Sequence, residues 1–138
     1  MRHLELGCNV PMFQTSVACH SAGPFAGPLV VTMRPIPASL VETASAVTSR
    51  FPRAHGAPIH SGDPSHLGIA DLSRPDYGDP VPVLPGEVPM FWACGVTPQA
   101  AIQSAGIPLV ITHAPGHMFI TDLREEELDE ACSPPEKL

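Results

Sequence analysis

Four of the seven histidines fall in two short turns stiffened by glycine and proline. The first reads His55-Gly56-Ala57-Pro58-Ile59-His60-Ser61-Gly62-Asp63-Pro64, the second Thr112-His113-Ala114-Pro115-Gly116-His117. Imidazole is the side chain that trades protons near neutral pH, and a stiff turn aims it instead of leaving it to solvent. His55, His60, His113 and His117 are therefore candidate bases. Asp63, Asp76 and Glu87 could orient an imidazole, or donate a proton if burial raises the carboxyl pKa. A third polar stretch, residues 87–99, ends in Gly95-Val96-Thr97-Pro98-Gln99, where free backbone N–H groups at a helix start suit a carboxylate or an oxyanion. Gly95, Val96, Thr97, Gln99 and His117 are taken as substrate-side residues, with Arg34 as the anchor for a second carboxylate.

Each candidate has a plainer counterpart. Asp63 before Pro64 and Asp76 before Tyr77-Gly78 are ordinary turn formers, and a histidine in such a turn often only braces it. Thr97 and Pro98 suit an N-cap and first helical residue for capping alone. His55 with His60, or His113 with His117, plus Asp63 or Glu87 would make a metal-ligand set. Pro115-Gly116 bars the helical spacing that His-x-x-x-His sites use, so a divalent metal is the lesser alternative and no cofactor, organic or metal, is the expectation. Cys94 lies in an apolar run, Phe91-Trp92-Ala93-Cys94, that predicts an inert buried thiol.

The elements that must position these residues are short. Residues 27–35 form a β-branched run between turn formers and read as a buried strand. Leu40, Ala44 and Val47 then recur at helical spacing over residues 37–50. Strands are expected at residues 81–84 and 88–94, the second buried on both faces. A short helix over residues 98–104, capped by Thr97 and ended by Gly106, precedes strands at 109–112 and 118–122. This alternation predicts an α/β fold, layered around a mixed sheet.

Composition limits the function classes. At 138 residues the chain is one domain at most, and 43% apolar residues with only 15% charged mark a globular chain with no run long enough to span a bilayer. A net charge of -7 argues against a nucleic-acid partner, which needs a surplus of Lys and Arg. Arginine is nearly the sole cation, which suits bidentate carboxylate recognition but is equally what GC-rich coding would give. Prolines number 18 of 138 residues, about 13% against an average of roughly 5%, yet they are dispersed and punctuate short elements. Cys8, Cys19, Cys94 and Cys132 form no Cys-x-x-Cys pair, which fits a reducing compartment. No signal or transit peptide is visible at the N-terminus. Residues 123–138 turn acidic and read as a frayed tail behind a domain spanning 1–122.

Several of these residues also carry a resemblance. Gly7-x-Asn9-Val10-Pro11-Met12, Met33-Arg34-Pro35, Arg50-Phe51-Pro52, His55-Gly56-Ala57-Pro58-x-His60, Gly62-Asp63-Pro64, Pro75-Asp76-Tyr77-Gly78-Asp79, Phe91-Trp92-Ala93-Cys94-Gly95-Val96-Thr97-Pro98-Gln99 and Thr112-His113-Ala114-Pro115-Gly116 occur in this order. Together they resemble the D-glutamate cyclase family of hydro-lyases, over about the C-terminal half of its catalytic domain. The resemblance implies an α/β sandwich with a smaller inserted α+β part, incomplete here, and conversion of D-glutamate to 5-oxo-D-proline and water. It implies a small acidic amino acid as ligand and a mitochondrial matrix address as in vertebrate members, or otherwise the cytoplasm; charge and composition add the expectation of no nucleic-acid or membrane partner. An inactive truncated form that serves as a binding module is the alternative expectation.

Overall fold

The computed structural model describes residues 1–118 and 120–128. Its element order is α1 (Arg2–Leu6), β1 (Met12–Ala18), β2 (Pro28–Pro37), a 3-10 turn (Ala38–Leu40), α2 (Val41–Ser49), β3 (His60–Ser61), a second 3-10 turn (Pro64–Leu67), β4 (Glu87–Ala93), α3 (Thr97–Ser104) and α4 (Glu125–Leu128). The four strands form one open sheet in the order β1-β2-β4-β3, with helices packed against it, an α/β fold.

The sheet is antiparallel at every pairing and not mixed. The reason lies in the long excursion of residues 38–86. It begins and ends at the same end of the sheet, where Pro37 pairs with Glu87 and the Ala38 amide donates to the Gly86 carbonyl at 2.9 Å. A chain that returns to its point of departure must run back along its neighbour, so β4 opposes β2.

Prolines within the strands respect the ladder. The Met33 amide donates toward the β1 side, to Pro11, so the missing donors of Pro35 and Pro37 face that side too, beyond the end of β1. Pro89, opposite Pro35, turns its missing donor toward the β3 edge, where its carbonyl accepts from Gly62. The central β2–β4 ladder loses no hydrogen bond to proline.

Alternation along β2 and β4 sends side chains to two cores. Phe13, Val31, Met33 and Phe91 meet Leu67, Ile69 and Val81 from the long excursion on one face. Met12 and Val30 meet Val96 and Ala100 of the α3 region on the other. Trp92 is buried on the helical face, and its indole N–H donates to Thr48 of α2 at 3.1 Å. Full burial of each such apolar side chain contributes about 1.5–3 kcal/mol.

Several expectations need correction. Residues 81–84 and 109–112 are not strands: the first is extended chain whose Val81 caps a core cluster, and the second has no neighbour with which to pair. The same holds for 118 and 120–122, while residue 119 lies outside the described residues. Only the central part of β4, Met90 to Trp92, is fully buried, since β3 covers two residues of its far edge. Of the expected apolar stripe, Leu40 lies in the turn before α2 and Val47 on α2, and both are exposed. Neither α1 nor β1 was expected, because their runs are short and carry no clear period. Of the acidic tail, Glu125–Leu128 form one helical turn and 129–138 fall outside the described residues.

Candidate functional site

Arg34 sits on the helical face of β2, opposite Met90, and leans across the sheet so that its guanidinium carbon lies 5.1 Å from the centre of the Trp92 ring. Its Nε is sealed from solvent without a hydrogen-bond partner, and no carboxylate among the described residues pairs with the group. Burial pushes its pKa down, with Cys94 acting in the opposite direction. Two residues back on the same face, Thr32 is 2% exposed and its hydroxyl also lacks a partner. Stacking on an indole returns about 0.5–2 kcal/mol, less than the several that removing a cation from water costs. An arginine held this way is ready for an anion.

Further along this face lies Cys94. Burial raises its thiol pKa, and the Val96 amide and Arg34 only partly oppose that, so the thiol stays protonated. Gly95 follows, and a Cβ placed there would lie 3.7 Å from Nε2 of His113. The Gln99 side-chain amide donates to the His113 carbonyl at 2.8 Å. Asn9 secures the rest of that loop: its side chain donates to the Pro115 carbonyl at 3.1 Å and fills the space that a Cβ on Gly116, at φ +76°, would need. Gly95, Gln99 and His113 are thus brought together, with Val96 and Thr97 opening α3 beside them.

Hydrogen bonding to main-chain carbonyls fixes which imidazole nitrogen carries the proton, because a carbonyl can only accept. His113 Nδ1 donates to Ala114 at 2.9 Å and His117 Nδ1 to Pro115 at 3.2 Å, so in the neutral ring Nε2 of each is the accepting nitrogen. His55 Nδ1 donates to the Ala93 carbonyl at the end of β4, again freeing Nε2. His60 is the reverse: Nε2 donates to the Asp63 carbonyl at 2.8 Å and Nδ1 is the free nitrogen. His60 pairs with Phe91, stacks on its ring at 5.9 Å, and meets His66 edge-on at 5.4 Å. His55, His60 and His113 therefore all attach within residues 91–95, on both sides of the sheet.

Other candidates are placed differently. Glu87 starts β4, six residues and about 20 Å from the His55 attachment. Its carboxylate is taken up by Arg2 and by the Leu84 amide at 2.8 Å. Asp63 caps the second 3-10 turn by accepting from the Ser65 amide at 2.9 Å, and the Ser65 bonds hold its carboxyl below the usual range, as an ionised acceptor. Asp76 accepts from the Gln14 amide at 2.8 Å. Thr97 is not the N-cap of α3. Its hydroxyl accepts from the Val30 amide at 3.0 Å and donates to the Val30 carbonyl at 3.2 Å, stitching α3 to β2.

Trp92, Thr32, Asn9 and His66 were not picked out as site residues. Trp92 and Asn9 stand inside resemblance motifs, a signal that could have found them; Thr32 and His66 carry none. Among the described residues no cluster of three or more His, Cys, Asp and Glu side chains could hold a metal ion. No helix of the described residues is long and apolar enough to cross a membrane.

These features define an α/β domain with a buried cation that has no carboxylate partner among the described residues, and braced histidines around one strand end. Its sequence matches the family described as D-glutamate cyclase over residues 1–122, and the chain belongs to that family. It is 63% identical over 128 residues to a protein named "Putative hydro-lyase" from Stutzerimonas stutzeri, covering 93% of this chain and 48% of that one. A protein of the same name from Saccharopolyspora erythraea is 58% identical over 127 residues, covering 92% and 50%. The chain spans about half the length of the curated relatives it matches. These relatives are bacterial, which lends no support to a mitochondrial address.

Proposed function

We propose that this domain contributes the substrate-holding part of a hydro-lyase that closes D-glutamate into 5-oxo-D-proline and water. The observation that carries the reading is Arg34, desolvated on Trp92 with no carboxylate partner among the described residues. In the reaction the amine nitrogen attacks the γ-carboxyl carbon, a C–N bond forms and a C–O bond breaks. Two of the three ammonium protons end on the oxygen that leaves as water, so acid–base groups must carry protons from nitrogen to oxygen without net uptake. The α-carboxylate stays anionic throughout, which makes it the natural partner of a permanent cation such as Arg34.

His113 is the preferred base: its free Nε2 lies over Gly95 and its loop is held by Asn9 and Gln99. His55, with a free Nε2 at the end of β4, is the second candidate for the proton relay. The Gln99 amide in the first turn of α3 could polarise the γ-carboxyl, whereas the Val96 amide is engaged by the Cys94 sulfur and the Thr97 amide by the Cys94 carbonyl. Glu87, held by Arg2, serves the frame under this reading and does not donate protons.

A second reading is favoured by the exposed apolar residues of the 107–122 stretch: the chain is a non-catalytic binding module whose site is assembled only with further protein. The test is conversion of D-glutamate to 5-oxoproline by the 138-residue chain, with L-glutamate as control and with and without EDTA. Turnover of the D-form supports the first reading. A folded chain that neither turns over nor, by calorimetry, binds either enantiomer leaves the second.

A further inference from the structure

Residues 107–112 and 118–122 have the composition of strands, yet the structure gives those that are described no partner. Their apolar side chains face water: Leu109 is 80% exposed, Ile111 92%, Met118 87% and Ile120 86%. The spacing is two in each stretch, so each would present one apolar face as a strand. Compact monomers seldom leave so many large apolar side chains of one short stretch uncovered, and unpaired backbone groups form a template for an added strand.

We infer that this stretch is the docking surface for the complementary half of a D-glutamate cyclase family chain, joined to it by strand addition. Two observations select this occupant. The relatives are about twice as long as the matched segment, so in them a comparable length of chain accompanies this domain. A second copy of the same chain, carrying -7 itself, would be opposed by like charge. The consequence reaches the site: His113 and His117 lie between the two apolar stretches, so docking fixes the loop that carries them. The inference rests on family membership and on exposure, and stands whether or not D-glutamate is the substrate.

The experiment mixes the intact 138-residue chain with the unmatched half of the Stutzerimonas stutzeri relative, made as a separate polypeptide. Sedimentation velocity and amide hydrogen exchange are the readouts. A 1:1 complex, with exchange in 107–122 slowed at least tenfold, is expected. Ile111→Asp with Ile120→Asp should weaken the complex at least tenfold without changing the circular dichroism of the isolated chain. Should the separate half not fold, the same pair of substitutions goes into a single chain that fuses that half to residues 1–138. There the expected result is a fall in Tm absent from the isolated chain. Unprotected amides and an unchanged Tm in the fused chain overturn the inference, as does a homodimer that protects 107–122. A protected complex without D-glutamate turnover supports the docking surface and removes the reaction.

Discussion

The guanidinium of Arg34 lies 5.1 Å over the Trp92 ring, and its Nε is buried without a partner. A cation so placed costs the folded state stability unless something anionic joins it. Arg34→Met keeps the stem packed on the indole and removes the charge. Tm should hold or rise, while kcat/KM for D-glutamate in a turning-over protein should fall at least about tenfold, the cost of one charge-assisted hydrogen bond. Arg34→Lys should recover only part of it, since an ammonium lacks the planar fork. A variant with full activity would remove Arg34 from the site.

The bond pair between Thr97 and Val30 gives a stability prediction. Thr97→Val leaves the buried Val30 amide without an acceptor, and should cost about 1–3 kcal/mol. Thr97→Ser keeps the hydroxyl and should cost less than half as much. Urea denaturation of both variants measures the difference, and equal losses would mean that the methyl group matters instead.

Asn9→Ala frees the Pro115 carbonyl, and Gly116→Ala drives a methyl group into the Asn9 side chain. Both should disturb the His113 loop while the sheet stays intact. The imidazole NMR signals of His113 should shift or broaden in each variant, with those of His60 unmoved. An unchanged His113 spectrum in both would show that Asn9 does not position the loop.

His3 gives a pH dependence. Burial, then the nearby Arg34 charge, then the N-terminal ammonium lower its pKa below 6.5 in the folded chain. The unfolded chain therefore takes up the proton first. The stability associated with neutral His3 is fully present above pH 6.5 and is lost as the pH falls through the lower folded value. Urea midpoints measured between pH 7.5 and 5 should fall less in His3→Gln than in the parent. Arg34→Met should also flatten the slope, because the second cause disappears. Parallel slopes in all three proteins would contradict the assignment.

Much of the frame was legible beforehand. The run that became β2, the helix at Val41–Ser49, the core of β4 and the helix at Thr97–Ser104 announced themselves through period, bounding glycine and proline, and the Thr97-Pro98 start. The motifs from Asn9 to Gly116 carried the family. The antiparallel sheet was not legible, because strand direction depends on where residues 38–86 return, and no local signal records that.

Residue types and spacing determined the α/β class, the braced histidine turns and the family, since each rests on local conformational preference or on the motifs themselves. Tertiary structure alone decided what each polar group does. Glu87 meets Arg2, Asp63 caps a turn, Thr97 bonds Val30, and Arg34 lies on Trp92 with no carboxylate partner among the described residues. It also decided that the strand-forming residues 109–112 stay irregular. A helix satisfies its backbone within its own segment, but a strand needs a neighbour, and these residues have none among those described.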